Sequence, residues 1–196
     1  ASVSIENTAP VFDSAASISP SSGVVVGTTL TCSSSASDAD DGVLTPSYTW
    51  SVSGSSIGTA NSYTVSASDI NVGDDIDCTA SVTDSSGSSL SSSASVSIEN
   101  TAPVFDSAAS IDPSSGVVVG TTLTCSSSAS DADDGALTPS YVWSVSGSSI
   151  GTGNSYTVDA NDINVGDDID CTASVTDSSG SSLSSSASVS IENTAP

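Results

Sequence analysis

Four cysteines, 23 acidic side chains and long runs of serine and threonine are the groups in this 196-residue chain that could do chemistry. The bases that would set them to work are missing. There is no lysine, arginine or histidine, and reading along the chain finds no glutamine or methionine either. A serine or threonine hydroxyl needs a neighbouring base to become a nucleophile, so hydrolysis of the triad kind has no means here. Without lysine no Lys–Asn isopeptide crosslink can form, and without glutamine neither an internal thioester nor a Thr–Gln ester can. An enzyme is not expected. The formal charge of −23 repels nucleic acid and anionic membrane surfaces, so neither is expected as a partner. No apolar stretch has the length of a membrane span, so no membrane insertion is expected.

The cysteines, Cys32, Cys78, Cys125 and Cys171, form two pairs of identical spacing, offset by 93 residues. A zinc site would want closely spaced Cys or His ligands, and the chain has neither a CxxC step nor a histidine. Disulfides suit the spacing better, and they place the chain in an oxidising, exported setting. The carboxylates have no base to pair with. Each must be solvated, accept a backbone N–H or hold a cation.

The elements that carry these groups are strands. Around Cys32, Trp50 and Cys78 the sequence alternates with period two, so Leu30, Cys32, Tyr48, Trp50, Val52, Ile76, Cys78, Ala80 and Val82 share the inward side. Further strands are expected near 12–18, with Phe12, Ala16 and Ile18 inward, at Val24 to Val26, and around Tyr63 and Val65. A last strand carries Leu90, Ala94, Val96 and Ile98 on one apolar face. Residues 20–23, 38–42, 54–56, 70–75 and 84–87 read as turns and loops. No stretch has a helical period. The alternation and the cysteine-tryptophan frame make disorder a poor reading of so serine-rich a chain.

The segment Ser-Val-Ser-Ile-Glu-Asn-Thr-Ala-Pro occurs at 2–10, 95–103 and 188–196. Residues 1–10 are therefore read as the tail of a preceding repeat with its linker, 11–98 as one repeat, 99–103 as a linker, 104–191 as a second repeat and 192–196 as the start of the next linker. The chain is expected to be a window on a longer array. The two copies differ at six positions: Ser19/Asp112, Val43/Ala136, Thr49/Val142, Ala60/Gly153, Ser66/Asp159 and Ser68/Asn161. Such near-identity suggests equivalent jobs.

A cysteine, a tryptophan some eighteen residues on and a second cysteine well downstream resemble the immunoglobulin-like superfamily, over the whole chain and twice with the same spacing. The resemblance implies an all-β fold of tandem immunoglobulin-like β-sandwich domains. It implies Cys32–Cys78 and Cys125–Cys171 disulfides between sheets, with Trp50 and Trp143 packed on them. One departure from the antibody type is Ile76 (Ile169 in the second copy) where that type has a tyrosine, which points to a distant, microbial branch.

The acidic run at 37–42 resembles the Asp-rich loop of bacterial immunoglobulin-like, PKD-like and cadherin-like repeats. The stretch Glu6-Asn7-Thr8-Ala9-Pro10-Val11-Phe12 is similar to the cadherin junction, where such residues help to bind calcium. In a tandem of this kind, Asp74 and Asp75 would approach Asp131, Asp133 and Asp134 of the next repeat, with Glu99, Asn100 and Asp106 on or beside the linker. These oxygens are the type that calcium needs, six to eight at a time. The competing reading has the loops simply solvated.

These features resemble the extender regions of giant bacterial extracellular surface or filament proteins and adhesins. The expectation is a structural repeat segment, a disulfide-stabilised spacer or building block at the cell surface or outside the cell. Its partners would be neighbouring identical repeats and lateral copies of the same chain. The alternative is an adhesive module in which Tyr63, Tyr156 or the loops recognise glycan or protein. An aromatic content of 4% and repeated loops speak for the first.

Overall fold

The structure, a computed structural model, describes residues 6–193. The outer parts of the expected tails, 1–5 and 194–196, lie outside the described residues. The chain divides into two compact units, Ala1–Thr101 and Ala102–Pro196.

The first unit has eight strands: β1 (Val11–Ser19), β2 (Thr29–Asp38), β3 (Gly42–Leu44), β4 (Ser47–Val52), β5 (Ser55–Gly58), β6 (Ser62–Thr64), β7 (Asp75–Thr83) and β8 (Ser89–Ser97). In one sheet β2 pairs with β1 along one side, and with β6 and β3 along the other. The second sheet runs β5-β4-β7-β8. Every pairing between these strands is antiparallel. Such sheets bury one face each, which is why the strands alternate small apolar residues with serine and threonine.

The second unit repeats this with β9 (Val104–Asp112), β10 (Thr122–Asp131), β11 (Gly135–Leu137), β12 (Ser140–Val145), β13 (Ser148–Thr152), β14 (Ser155–Thr157), β15 (Asp168–Thr176) and β16 (Ser182–Ser190). Its sheets are β9-β10-β11 with β14 also on β10, and β13-β12-β15-β16. Each unit is thus an immunoglobulin-like sandwich, and no described residue is helical.

The core of the first unit gathers Leu30, Cys32, Trp50, Ile76, Cys78 and Val96 from both sheets, with Val24, Val65, Ile70 and Ile98 from outside the strands. The second unit assembles the equivalent cluster around Leu123, Cys125, Trp143, Ile169 and Cys171. Four local expectations need correction. Ser55 and Ser56, read as part of a turn at 54–56, open β5, and the turn is made by Ser53 and Gly54. Residues 24–26 do not form a strand: Val24 makes a single parallel bridge to Ile98, because the Gly27 turn follows at once. Gly42, read as the end of the loop 38–42, instead opens β3 with Val43 and Leu44, which pairs with the end of β2. Leu90 is 39% exposed, since β8 outruns the core at that end and Leu90 lies over Val82 at the rim.

Candidate functional site

Cys32 on β2 and Cys78 on β7 are joined, S–S 2.00 Å, and Cys125 and Cys171 likewise at 2.02 Å. Each bridge ties one sheet to the other. Trp50 lies opposite Cys78 in the β4–β7 register and is fully buried, as is Trp143 opposite Cys171. An indole N–H buried without a partner would be costly. Here it donates to the carbonyl of Ala60 at 2.8 Å, and in the second unit to that of Gly153 at 2.9 Å. That acceptor comes from the β5–β6 connection, so the tryptophan fastens a loop as well as the core. Tyr63 packs over the same place, its ring 6.0 Å from that of Trp50. Its hydroxyl donates to Asp69 at 2.9 Å. Burial and the Asp69 carboxylate together push the tyrosine pKa up to about 12. Tyr156 repeats the contact with Trp143 and donates to Asp162.

The acidic side chains find donors in turns and neighbouring hydroxyls. Asp74 accepts the backbone N–H of Asn71 at 2.8 Å, and Asp75 the hydroxyl of Ser97. Glu99 accepts the N–H of Gly23 at 2.7 Å, back in its own unit. Asp106 accepts the Ser130 hydroxyl at 2.8 Å, and Asp131 the N–H groups of Asp133 and Asp134 at 2.7 and 3.1 Å. Asp134 also accepts the N–H and hydroxyl of Ser178. Asn100 follows Glu99, partly buried. Asp74, Asp75, Glu99 and Asn100 stand in the first unit, and Asp106, Asp131, Asp133 and Asp134 in the second. Among the described residues no three acidic side chains are grouped so as to hold a metal ion.

The sequence marks three of these acids as loop or candidate metal residues but gives no sign that they are buried. Asp38 and Asp131, at the ends of β2 and β10, are 5% and 6% exposed. One oxygen of each caps the following turn, whereas the other is buried with no hydrogen-bond partner among the described residues. Asp84, read as a turn residue, is also only 5% exposed. Its Oδ1 accepts the N–H groups of Ser86 and Ser88 at 2.9 and 2.8 Å, closing the β7–β8 hairpin. Its Oδ2 accepts the side-chain amide of Asn7 at 2.9 Å. The Asn7 bond, helped by the hairpin N–H groups and opposed by desolvation, holds this carboxyl below the usual aspartate range. The Asp-Ser-Ser-Gly sequence signals the turn cap, but nothing local signals the distant asparagine.

No protein-family model and no curated protein sequence matches the chain. Among solved structures it is similar to three N-terminal domains of the Highly Immunogenic Outer Capsid protein of bacteriophage RB49. That likeness has 14% identity and a TM-score of 0.34, over 93% of this chain and 59% of that one. Fibronectin(III)-like modules of Clostridium thermocellum CbhA are similar at 17% identity and TM-score 0.32, over 93% and 94% of the two chains. A Ca2+-stabilized adhesin with which an Antarctic bacterium binds ice is similar at 14% identity and TM-score 0.36, over 95% and 49%. At these identities and TM-scores the neighbours assign no function to this chain.

Proposed function

We propose that the chain is a structural segment of a long extracellular filament or surface protein, in which each sandwich serves as a disulfide-stapled spacer. The observation that carries this reading is the exact recurrence of one build: bridge, buried indole, indole-to-loop bond and capped acids stand at equivalent positions in both units. Neither unit has been specialised against the other. Disulfides suit an oxidising compartment outside the cytosol. Tyr63, the aromatic that an adhesive surface would present, is instead committed to Trp50 and Asp69. The decisive measurement is the length of native material by negative-stain imaging, against the number of repeats in the full gene product. A spacer predicts length proportional to repeat number. A compact particle, or capture of a glycan or protein by the two repeats alone, would favour the adhesive alternative.

Calcium belongs to the same proposal on one observation. Asp38 and Asp131 each bury an oxygen that no donor among the described residues reaches, and in a chain without basic side chains a bound cation would offer it the missing charge. Carbonyls and water would complete the shell of such an ion.

A further inference from the structure

The tail motif Glu-Asn-Thr-Ala-Pro is handled in two different ways by the sandwiches around it. At the exit of the first unit, Glu99 turns back: its N–H donates to the Val24 carbonyl at 2.7 Å and its carboxylate accepts from Gly23. Glu192 does the same in the second unit, with Val117 and Gly116. The glutamate is therefore kept by the repeat that it ends. At the start of the first unit the following residues of the same motif face forward. Asn7 donates to Asp84 at 2.9 Å and to the Ser88 hydroxyl at 3.2 Å, and the Thr8 N–H donates to Asp40 at 2.7 Å. Asp40 and Asp84 come from the turn after β2 and the β7–β8 hairpin, two loops far apart in sequence. Asp41 locks them together by accepting the N–H and hydroxyl of Ser85, at 2.7 and 2.9 Å. A shallow cleft lined by Glu6, Asn7, Asp40, Ser85 and Ser86 marks the place.

We propose that this loop end, centred on Asp84, is a recognition site for the Asn-Thr step of a repeat tail, and that Asp84 is the residue that selects asparagine there. The chemistry is specific. Asp84 is nearly buried, has one oxygen spent on its own hairpin and presents the other as a lone acceptor, so it takes a neutral donor. An incoming carboxylate would be repelled, and an apolar side chain would leave the buried oxygen unpaired. In a chain without lysine or arginine, an amide on a carboxylate is one of the few charge-assisted side-chain clasps available. The second sandwich carries Asp177 and Ser181 at the equivalent positions of its own sequence. The inference rests on the spacer reading, because only in an array does every repeat receive a tail.

The test uses the full chain and a Glu-specific endoprotease. The only glutamates are Glu6, Glu99 and Glu192, so cuts fall in the tails and are identified by mass. Cleavage after Glu6 requires residues 6–8 to leave their seat. Asn7→Ala should speed that cut about tenfold, the population change expected for the loss of a charge-assisted hydrogen bond. Asn7→Asp should speed it further. Combining Asn7→Asp with Asp84→Asn reverses the polarity of the clasp: the introduced amide keeps its oxygen on the hairpin N–H groups and turns its NH2 to the introduced carboxylate. The double variant should return to within about threefold of the parent rate, a difference under 1 kcal/mol. Equal rates for the parent and Asn7→Ala would overturn the proposal, as would a double variant as fast as Asn7→Asp alone. If Asp84→Asn unfolds the sandwich, Asn7→Ala and Asn7→Asp decide by themselves. Failure here leaves the length measurement, and with it the spacer reading, untouched.

Discussion

Trp50 and Trp143 put the whole indole into the core and still satisfy its one polar atom. Trp50→Ala removes the largest fully buried side chain of its unit and orphans the Ala60 carbonyl. It should cost about 3–5 kcal/mol. Ser51→Ala, one step along on the other side of β4, should stay within about 0.5 kcal/mol. Chemical denaturation of both variants checks the pair. Tyr63 gives a second expectation. The folded chain holds its hydroxyl proton more tightly than the unfolded chain does, with a pKa of about 12 against 10.0. The corresponding stability is complete below pH 10 and is lost as the pH climbs through 12. Following tyrosinate absorbance should show Tyr63 among the last to ionise, and Asp69→Ala should bring it down.

The β4–β5 hairpin shows what an element can conceal. Two residues, Ser53 and Gly54, make the turn with φ of 48° and 79°, and Ser146 and Gly147 repeat it. Both turn positions are left-handed, as the twist of a two-residue hairpin requires, yet only one of the two is a glycine. Ser53→Gly should therefore stabilise the unit by about 0.5–1 kcal/mol, less than the full left-handed penalty because glycine frees the unfolded chain. Thermal melting against the parent checks it. This is also where the sequence stopped being legible. The inward sides of β2, β4 and β7 could be read from alternation, since each inward apolar position is flanked by serine, threonine or aspartate, which favour the outer face. Ser53 could not, because serine carries no mark of a positive φ. Nor could β3, whose strand character comes from pairing with β2 and not from its three residues. The roles of Asp38 and Asp84 were hidden for a related reason. Both look like ordinary turn caps, and what distinguishes them is burial set by distant segments. The paired substitution of Ser66 and Ser68 by Asp159 and Asn161 is easier to understand: a Ser–Ser hydroxyl contact gives way to an Asx turn of the same shape.

At the scale of the molecule, charge is the feature that most needs management, at −23 with no compensating base. Most acids are spent as caps, which turns a repulsive surface into a set of ordered loops. Calcium should raise the melting temperature of the chain over that in chelator at constant ionic strength, and Asp38→Asn together with Asp131→Asn should remove the increment. Holding ionic strength constant matters, because simple salt already screens exposed carboxylates over about 10 Å at 0.1 M. Equal melting temperatures in calcium and chelator would leave capping as the whole role of these acids.

Each disulfide closes a ring with a sequence separation of 46 in a repeat of 93. Pulled from its ends, a sandwich can unreel only the residues outside that ring, roughly half of the repeat. At full extension these amount to on the order of 160 Å of slack. The remainder stays closed in its covalent ring however hard the chain is drawn. A strand of such repeats would give way by bounded steps, keep a covalent nucleus at every step and rewind from it when the load is released. Reduction would roughly double the step and take that nucleus away.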